Sequence, residues 1–424
     1  MTTHRIRTLF CDLHGLSRGK FVSPEFAERG QVGFARPVFA VSLDREIIAV
    51  PGAGVETGLP DMELMLDRTL RKDWRDGTEI ALGDLHADGA PYELCARGAL
   101  RRAIAGYEDA GLRPMVGIEF EAYAYQRDDD GVWRPYDTPG AFVYGTGPAN
   151  DPRGLMDALW DAALTAGIPI ESLNGEYDSG QFELTLGFGE ALTACDDAFL
   201  FRTMAKEIAA GLGLLLTFMP KPIPDRGGSG LHVNFSFRDA DGANVIPDTS
   251  GELSDLARNC VAGLMHHHES LSGLLATTVN SYDRLAPASM AGYWANWAHD
   301  HRLVTVRTAT GSPASARLEH RMADAAANPY LAVAAVLQAA RLGIDNGYPL
   351  PPAEDLDGIE NTRATRHVPS SLPRALDALD GDLPLRQRVG ELLCDALIET
   401  KRDEAKRLSG KSVDEVRDFY LPFI

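Results

Sequence analysis

The chain is poor in cysteine, in positive charge and in long apolar runs, and each shortage excludes something. Its 424 residues hold five cysteines, Cys11, Cys95, Cys195, Cys260 and Cys394, with no CxxC pair. A scattered, odd-numbered set excludes a disulfide framework and a cysteine zinc site, and fits reduced thiols in a cytoplasm. Lysine and arginine number 41 against 61 aspartates and glutamates, a formal net charge of −20. That balance argues against nucleic acid or an anionic membrane as the main partner, yet local arginine clusters remain able to hold an anion. No run of about eighteen apolar residues occurs, and Met1 to Phe10 is polar, so neither membrane spanning nor export is indicated. Internal repeats and low-complexity tracts are also missing.

What is present has the composition of a soluble globular protein, 45% hydrophobic and 24% charged, and is long enough for two domains. Residues 1–92 are rich in turns and lack long helical periodicity, which reads as a small, mostly β domain. Gly15-Leu16-Ser17-Arg18-Gly19-Lys20 has the wrong spacing for a phosphate loop, with Phe21 where Ser or Thr should follow the lysine. From 93 to 424 helical spacing sets in. Helices are expected from Arg97 to Asp109, around Leu155–Leu164, and at about 190–212, 252–278, 327–345 and 385–408. Ser412-Val413-Asp414-Glu415 is a capping box for a last short helix. The proline-bearing segment from Pro349 to Pro373 is expected to wrap the surface.

Five short strands carry residues of catalytic type on one face. Glu119 and Glu121 stand two apart in Val116–Tyr125, so both carboxylates point the same way. Gln181 and Glu183 share a face in Gly180–Leu186, with Glu176 in the turn before. Gly227-Gly228-Ser229-Gly230 feeds a strand whose Leu231, Val233, Phe235 and Phe237 alternate with His232, Asn234 and Ser236. Arg317, Glu319 and Arg321 form a fourth set. Arg302 and Arg307 differ in parity, so a bulge or strand end must intervene if both face one site. Each set alone has an ordinary explanation as a solvated face or salt-bridge ladder. Five together favour a site. Carboxylates with one histidine are the ligand mix for Mg²⁺ or Mn²⁺, and arginines beside such ions are what phosphoryl transfer needs. An ATP-dependent metalloenzyme is the implied reaction class. His266-His267-His268-Glu269 reads as a helix face, because adjacent side chains on a helix diverge.

These motifs, in order, resemble glutamine synthetase over nearly the whole chain. They are Asp12-Leu13-His14-Gly15, Pro60-Asp61-Met62, Glu119-Phe120-Glu121, Gly175-Glu176-Tyr177 with Gly180-Gln181-Phe182-Glu183, the stretch Phe218–Phe237, Asn280-Ser281-Tyr282-Asp283-Arg284-Leu285, and Ala327-Asn328-Pro329-Tyr330. The resemblance implies an α+β fold with an N-terminal β-grasp domain (1–92) and a catalytic domain of antiparallel sheet with helices (93–424). It implies a dodecamer of two stacked hexameric rings, with active sites between neighbouring subunits. By resemblance Glu121, Glu176 and Glu183 ligate one metal ion, and Glu119, His232 and Glu319 a second. Arg302, Arg307 and Arg317 match the arginines that hold ATP and the transferring phosphate, and Ser236 a nucleotide contact. Arg284, Arg321 and Gly228 match contacts to glutamate. The implied reaction forms γ-glutamyl phosphate from glutamate and ATP, which an amine then attacks.

Departures from the family pattern bear on the substrate. Gly227 stands where the glutamate loop normally begins with Asn, and Asn234 replaces a second histidine. Where ammonia-using enzymes carry a glutamate flap residue, this chain reads Ala288-Ser289-Met290-Ala291. Asp44 lies near the ammonium-deprotonating position, but Val50-Pro51-Gly52 stands in place of the surrounding motif. The pattern looks like the γ-glutamylamide ligases, with Met290, Tyr293, Trp294 and Trp297 as candidate lining of an amine pocket. Ordinary glutamine synthesis and a non-catalytic homologue are the alternatives.

Overall fold

In the computed structural model, which describes residues 3–75, 77–355 and 362–424, the strands form two separate sheets. The first takes β1 (Arg5–Cys11), β2 (Ser17–Val22), β3 (Gln31–Ala35), β4 (Asp61–Leu66), β5 (Lys72–Arg75), β6 (Thr78–Ala87) and β7 (Ala90–Pro91). Its order is β2-β1-β6-β4-β3, with β1 parallel to β6 and the other pairs antiparallel. A short helix, α1 (Pro24–Ala27), capped by the Ser23 side chain, and three 3-10 turns interrupt it. The N-terminal sheet is therefore mixed.

The second sheet is built around one long strand. β8 (Arg113–Arg127) pairs with β9 (Trp133–Pro135), β11 (Gln181–Leu186), β12 (Gly189–Glu190), β13 (Leu214–Thr217) and β14 (Leu231–Arg238). β10 (Ile170–Gly175) extends one edge, and β17 (Arg317–His320), β16 (Val306–Ala309) and β15 (Trp297–His299) the other. β8 outruns the predicted Val116–Tyr125 because partners continue its ladder at both ends. One face of β14 is fully apolar: Leu231, Val233, Phe235 and Phe237 are all buried. Burying such side chains contributes about 1.5–3 kcal/mol each, so the register of β14 is fixed and its polar face has to look the other way.

Helices α2 (Ala96–Glu108), α3 (Leu155–Ala166), α4 (Ala191–Gly211), α5 (Asp255–His266), α6 (His268–Leu275), α7 (Ser281–Arg284), α8 (Pro329–Asn346), α9 (Leu372–Gly381), α10 (Leu383–Val389), α11 (Glu391–Arg407) and α12 (Val413–Tyr420) complete the chain. The α12 capping box is formed by Ser412 and Glu415 as predicted. α5 and α8 cross backbone to backbone at Gly263 and Gly343, since a Cβ on Gly343 would lie 2.0 Å from the Asn259 carbonyl. Two predicted helices are each split. The first breaks at His267, whose Nδ1 lies 2.6 Å from Asp382 Oδ2, while the His266 ring stacks on Tyr348 at 3.8 Å and His268 is buried. The three histidines diverge as expected, but across a break and not on one helix face. The second splits at Gly390, whose φ of 130° a residue with a side chain rarely adopts.

The described flanks of the proline-bearing segment are mostly exposed or half-buried, in keeping with a path over the surface. Residues 356–361 lie outside the described residues; the flanks run as extended chain against Tyr293–Trp297, through Glu354 N–H to the Trp297 carbonyl (2.8 Å) and Val368 N–H to the Tyr293 carbonyl (3.0 Å). The N-terminal unit is tied to the rest by buried polar links. Arg97 on α2 makes a bidentate pair with Asp196 on α4 (2.8 and 2.9 Å) and reaches Asp84 on β6 (2.6 Å), while Asn328, which caps α8, donates to the Asp12 carbonyl (3.0 Å).

Candidate active site

The polar faces of β11, β8, β14, β17 and β16 lie side by side, and the register places their charged residues opposite one another. Glu183 faces Glu121, His232 faces Glu119, Asn234 faces Glu319, and Glu319 faces Arg307. Cross-strand neighbours on one face sit within about 5.5 Å at Cβ, so pairing alone gathers these groups. The result is two triads, Glu119–His232–Glu319 and Glu121–Glu176–Glu183, in each of which one ligand atom per residue lies within 4.8 Å of the others. The expected ligand sets are brought together. His232 stands between them, Nδ1 at 3.1 Å from Glu119 Oε2 and Nε2 at 3.9 Å from Glu121 Oε1.

The two triads differ in charge state. Burial pushes the Glu119 carboxyl up, but the hydrogen bond and charge of His232, with Asn234, outweigh it and hold the group at about 2. Glu319 is likewise held below the usual range, burial being outweighed by Arg321 and His232. Burial and the charges of Glu119, Glu176 and Glu121 push Glu183 up to about 8, and Glu176 is raised by burial and Glu121. Three carboxylates so close together cannot all ionise cheaply, so Glu183 and Glu176 hold a proton more tightly than an ordinary carboxyl. Hard oxygen donors with one imidazole, one set ionised and the other short of a counter-charge, suit divalent Mg²⁺ or Mn²⁺.

Arginines close one side. Glu319, buried at 3% exposure, accepts from Arg307 Nη1 at 2.9 Å and also from Arg321. Arg307 is held from its other end by Asp300 (2.7 Å), a partner that nothing in the sequence pattern announced. Arg317 Nε donates to Asn234 Oδ1 (2.9 Å), and both line a cavity of about 310 Å³ with Ser236, Glu119, Gly117 and Phe188. Arg302 does not join them. It is exposed in the turn before β16 and has no ion pair with any described residue, because the parity break leaves it outside the strand.

The glycine loop forms the remaining wall. Gly230 N–H donates to Glu121 Oε2 (2.7 Å), Gln181 Nε2 to the Gly228 carbonyl (3.0 Å), and Gly227 N–H to Asp178 Oδ2 (2.6 Å). A Cβ on Gly228 would lie 2.6 Å from Arg284 Cγ, so the glycine is required by close approach. Arg284 is buried behind this loop, Nη1 donating to the Met322 carbonyl at 2.8 Å. Tyr123 reaches the loop too, its hydroxyl 3.3 Å from Asp178 Oδ2 and 3.1 Å from the Gly227 carbonyl. Tyr123 was readable by parity, as it continues the alternation of Glu119 and Glu121; Asp178 was not.

Of the four residues named for the amine pocket, Met290, Tyr293 and Trp294 line one small cavity with Ala288, Ser289 and Leu303, and Trp297 stands apart from it. Trp297 is buried, with its indole N–H on the Pro351 carbonyl (2.8 Å), and Tyr293 stacks on His367 at 5.0 Å with Trp294 edge-on to the same ring. Met290 alone is well exposed, at 49%. Ala288 and Met290 hold φ of 61° and 58°, so this loop keeps an unusual backbone without an acidic side chain. Asp44 is committed to Arg407 (2.9 Å) and Ser42.

The chain is similar to known proteins over most of its length. The profile described as glutamine synthetase, catalytic domain, matches residues 93–420. Gamma-glutamylputrescine synthetase of Escherichia coli is 31% identical over 418 residues, covering 95% of this chain and 88% of that protein. Glutamate–isopropylamine ligase of a Pseudomonas species is 32% identical, covering 80% and 78%. Gamma-glutamylethanolamide synthetase of Streptomyces coelicolor is 31% identical, covering 90% and 85%. Among solved structures, a glutamine synthase homolog superposes with a TM-score of 0.86 at 26% identity over 100% of this chain and 99% of its own. With its folded sheets, paired triads and arginines, the chain belongs to the glutamine synthetase family and is a carbon–nitrogen ligase.

Proposed function

We propose that the protein is an ATP-dependent ligase that joins the γ-carboxylate of glutamate to an organic amine through γ-glutamyl phosphate. One observation carries the reading: two metal-type triads flanked by arginines are combined with a neutral Ala288-Ser289-Met290-Ala291 loop. An enzyme that clamps ammonium needs an anion there; one that takes a bulkier amine does not. The names of the relatives, which specify putrescine, isopropylamine and ethanolamine, support it.

In this reading Glu121, Glu176 and Glu183 hold one divalent ion and Glu119, His232 and Glu319 the other. Bound there, Mg²⁺ or Mn²⁺ supplies Lewis acidity toward the phosphate oxygens and orients the two substrates. Arg307 and Arg317 offset the charge of the transferring phosphate, with Arg302 joining from its turn when nucleotide is present, and Ser236 lies beside the nucleotide. Arg284, Arg321 and the Gly228 backbone orient glutamate. Glu319 fixes Arg307 and Arg321 at once, so phosphate-holding and glutamate-holding arginines are set by one carboxylate. Residues 1–92 act as a β-grasp domain and 93–424 as the catalytic domain, assembled as a cytoplasmic dodecamer of two hexameric rings whose sites lie between subunits.

The test is phosphate release from ATP with Mg²⁺, glutamate and a panel of amines that includes ammonium, putrescine, ethanolamine and isopropylamine. An organic amine is expected to give the highest kcat/KM. Ammonium as the best acceptor would return the protein to glutamine synthesis, and no turnover together with no ATP binding would favour a non-catalytic homologue.

A further inference from the structure

Asn234 stands between the metal-type triad and the cavity arginine, and the ligase reading leaves it without a task. We propose that Asn234 is a positioning residue that ties Glu119 to Arg317, so that the metal ion and the nucleotide are bound as one unit. The inference rests on the ligase reading for what the cavity holds.

Asn234 is 7% exposed and spends both ends of its amide. Nδ2 donates to Glu119 Oε1 at 2.9 Å, and Oδ1 accepts from Arg317 Nε at 2.9 Å. The orientation is dictated by the partners: an ionised carboxylate only accepts and a guanidinium only donates, so a flipped amide would lose both bonds. The other Glu119 oxygen faces His232 Nδ1 at 3.1 Å, and with both oxygens engaged the plane of the carboxylate is fixed in the triad. Arg317 gives Nη1 to the Ser315 carbonyl at 3.3 Å, which leaves Nη2 uncommitted among the described residues while the side chain lines the cavity.

Register adds the space. Asn234 pairs with Gly117, where a Cβ would come to 3.3 Å from Phe188 Cβ and 3.8 Å from Asn234 Cβ, so the glycine keeps the cavity open beside the amide. An imidazole at 234 would offer one donor and one acceptor only while neutral; protonated, it becomes two donors and opposes Arg317. The amide has no second protonation state, so residue 234 itself keeps one donor and one acceptor in place whatever the pH.

The experiment compares Asn234→Ala, Arg317→Ala and the double variant. Mn²⁺ binding is titrated by calorimetry without substrates, and KM and kcat for ATP are measured with the best amine. A lost hydrogen bond to a charged group corresponds to about tenfold or more in affinity, so Asn234→Ala should weaken Mn²⁺ and raise KM for ATP each about tenfold, with a smaller change in kcat. Arg317→Ala should raise KM for ATP and leave Mn²⁺ affinity within about twofold. The double variant should bind ATP no worse than the weaker single one, because the two share one chain of bonds. Unchanged Mn²⁺ binding in Asn234→Ala, or additive effects on KM, overturns the proposal. Should Asn234→Ala not fold, the wild-type protein crystallised with Mn²⁺ and a non-hydrolysable ATP analogue decides: an amide turned away from Glu119 or Arg317 refutes it. Because Mn²⁺ titration needs no turnover, a protein inactive with every amine yet weakened for Mn²⁺ by Asn234→Ala would sink the ligase reading and keep this one.

Discussion

Binding of a divalent ion to Glu121–Glu176–Glu183 should release a proton. Burial and the neighbouring carboxylates lift Glu183 from 4.5 to about 8. At pH 7 a group of that pKa is about nine-tenths protonated, so an ion that needs all three carboxylates ionised displaces about 0.9 proton. At pH 9 the figure falls to about 0.1, and the apparent affinity rises about tenfold between pH 7 and pH 9 before levelling. Titration of Mn²⁺ by calorimetry at pH 7, in buffers of different ionisation enthalpy, reads the proton count directly from the slope of heat against buffer enthalpy. Stability supplies a second reading. The folded pKa lies above the unfolded one, so the contribution of this group is present at low pH and lost as pH rises through about 8. The melting temperature of the metal-free protein should fall over that window, and saturating Mn²⁺ should remove the fall. Buffer-independent heat at pH 7 would mean that the empty triad is already fully ionised, and the electrostatic argument would fail.

Three substitutions at two positions test the rest of the site. Glu319→Ala removes the carboxylate between Arg307 and Arg321; leaving the buried Arg321 guanidinium without it costs about 3–5 kcal/mol, so melting temperature and turnover should both drop while the proposed oligomer persists. Glu319→Gln keeps the shape and should separate the two, with turnover lost and most stability kept; an active variant would remove Glu319 from the metal site. Gly228→Ala places a Cβ 2.6 Å from Arg284 Cγ and 2.8 Å from the Pro220 carbonyl, and should cost about 1–3 kcal/mol and raise KM for glutamate; an unchanged melting curve and KM would show that the loop is slack.

The alternation of β14 announced both its buried face and its polar one, because a strand has a period of two and no other freedom once one face is apolar. The same parity argument found Glu119 with Glu121 and, carried one step further, would have found Tyr123. It also flagged Arg302, which stays outside the cluster. Helix breaks were less legible. The stretch 252–278 stays helix-like throughout, and the break at His267 depends on Asp382, more than a hundred residues away. Within the aromatic run Tyr293 and Trp294 do line a small cavity beside Met290, while Trp297 does not; the partners His367 and Pro351 come from a segment with no periodic signal.

Sequence by itself determined the residue types of the site, the face each occupies on its strand, and the family, since these depend on local alternation and ordered motifs. Only the tertiary structure decided which strands adjoin, and adjacency is what turns separate acids into two triads, one with lowered and one with raised carboxyl pKa values. It also decided that Asp300 holds Arg307, that Asp178 fills the space beside Gly227, and that Asn234 joins Glu119 to Arg317. Those are contacts between residues 7 to 115 positions apart, set by strand order and loop closure, and no local pattern in the chain encodes them.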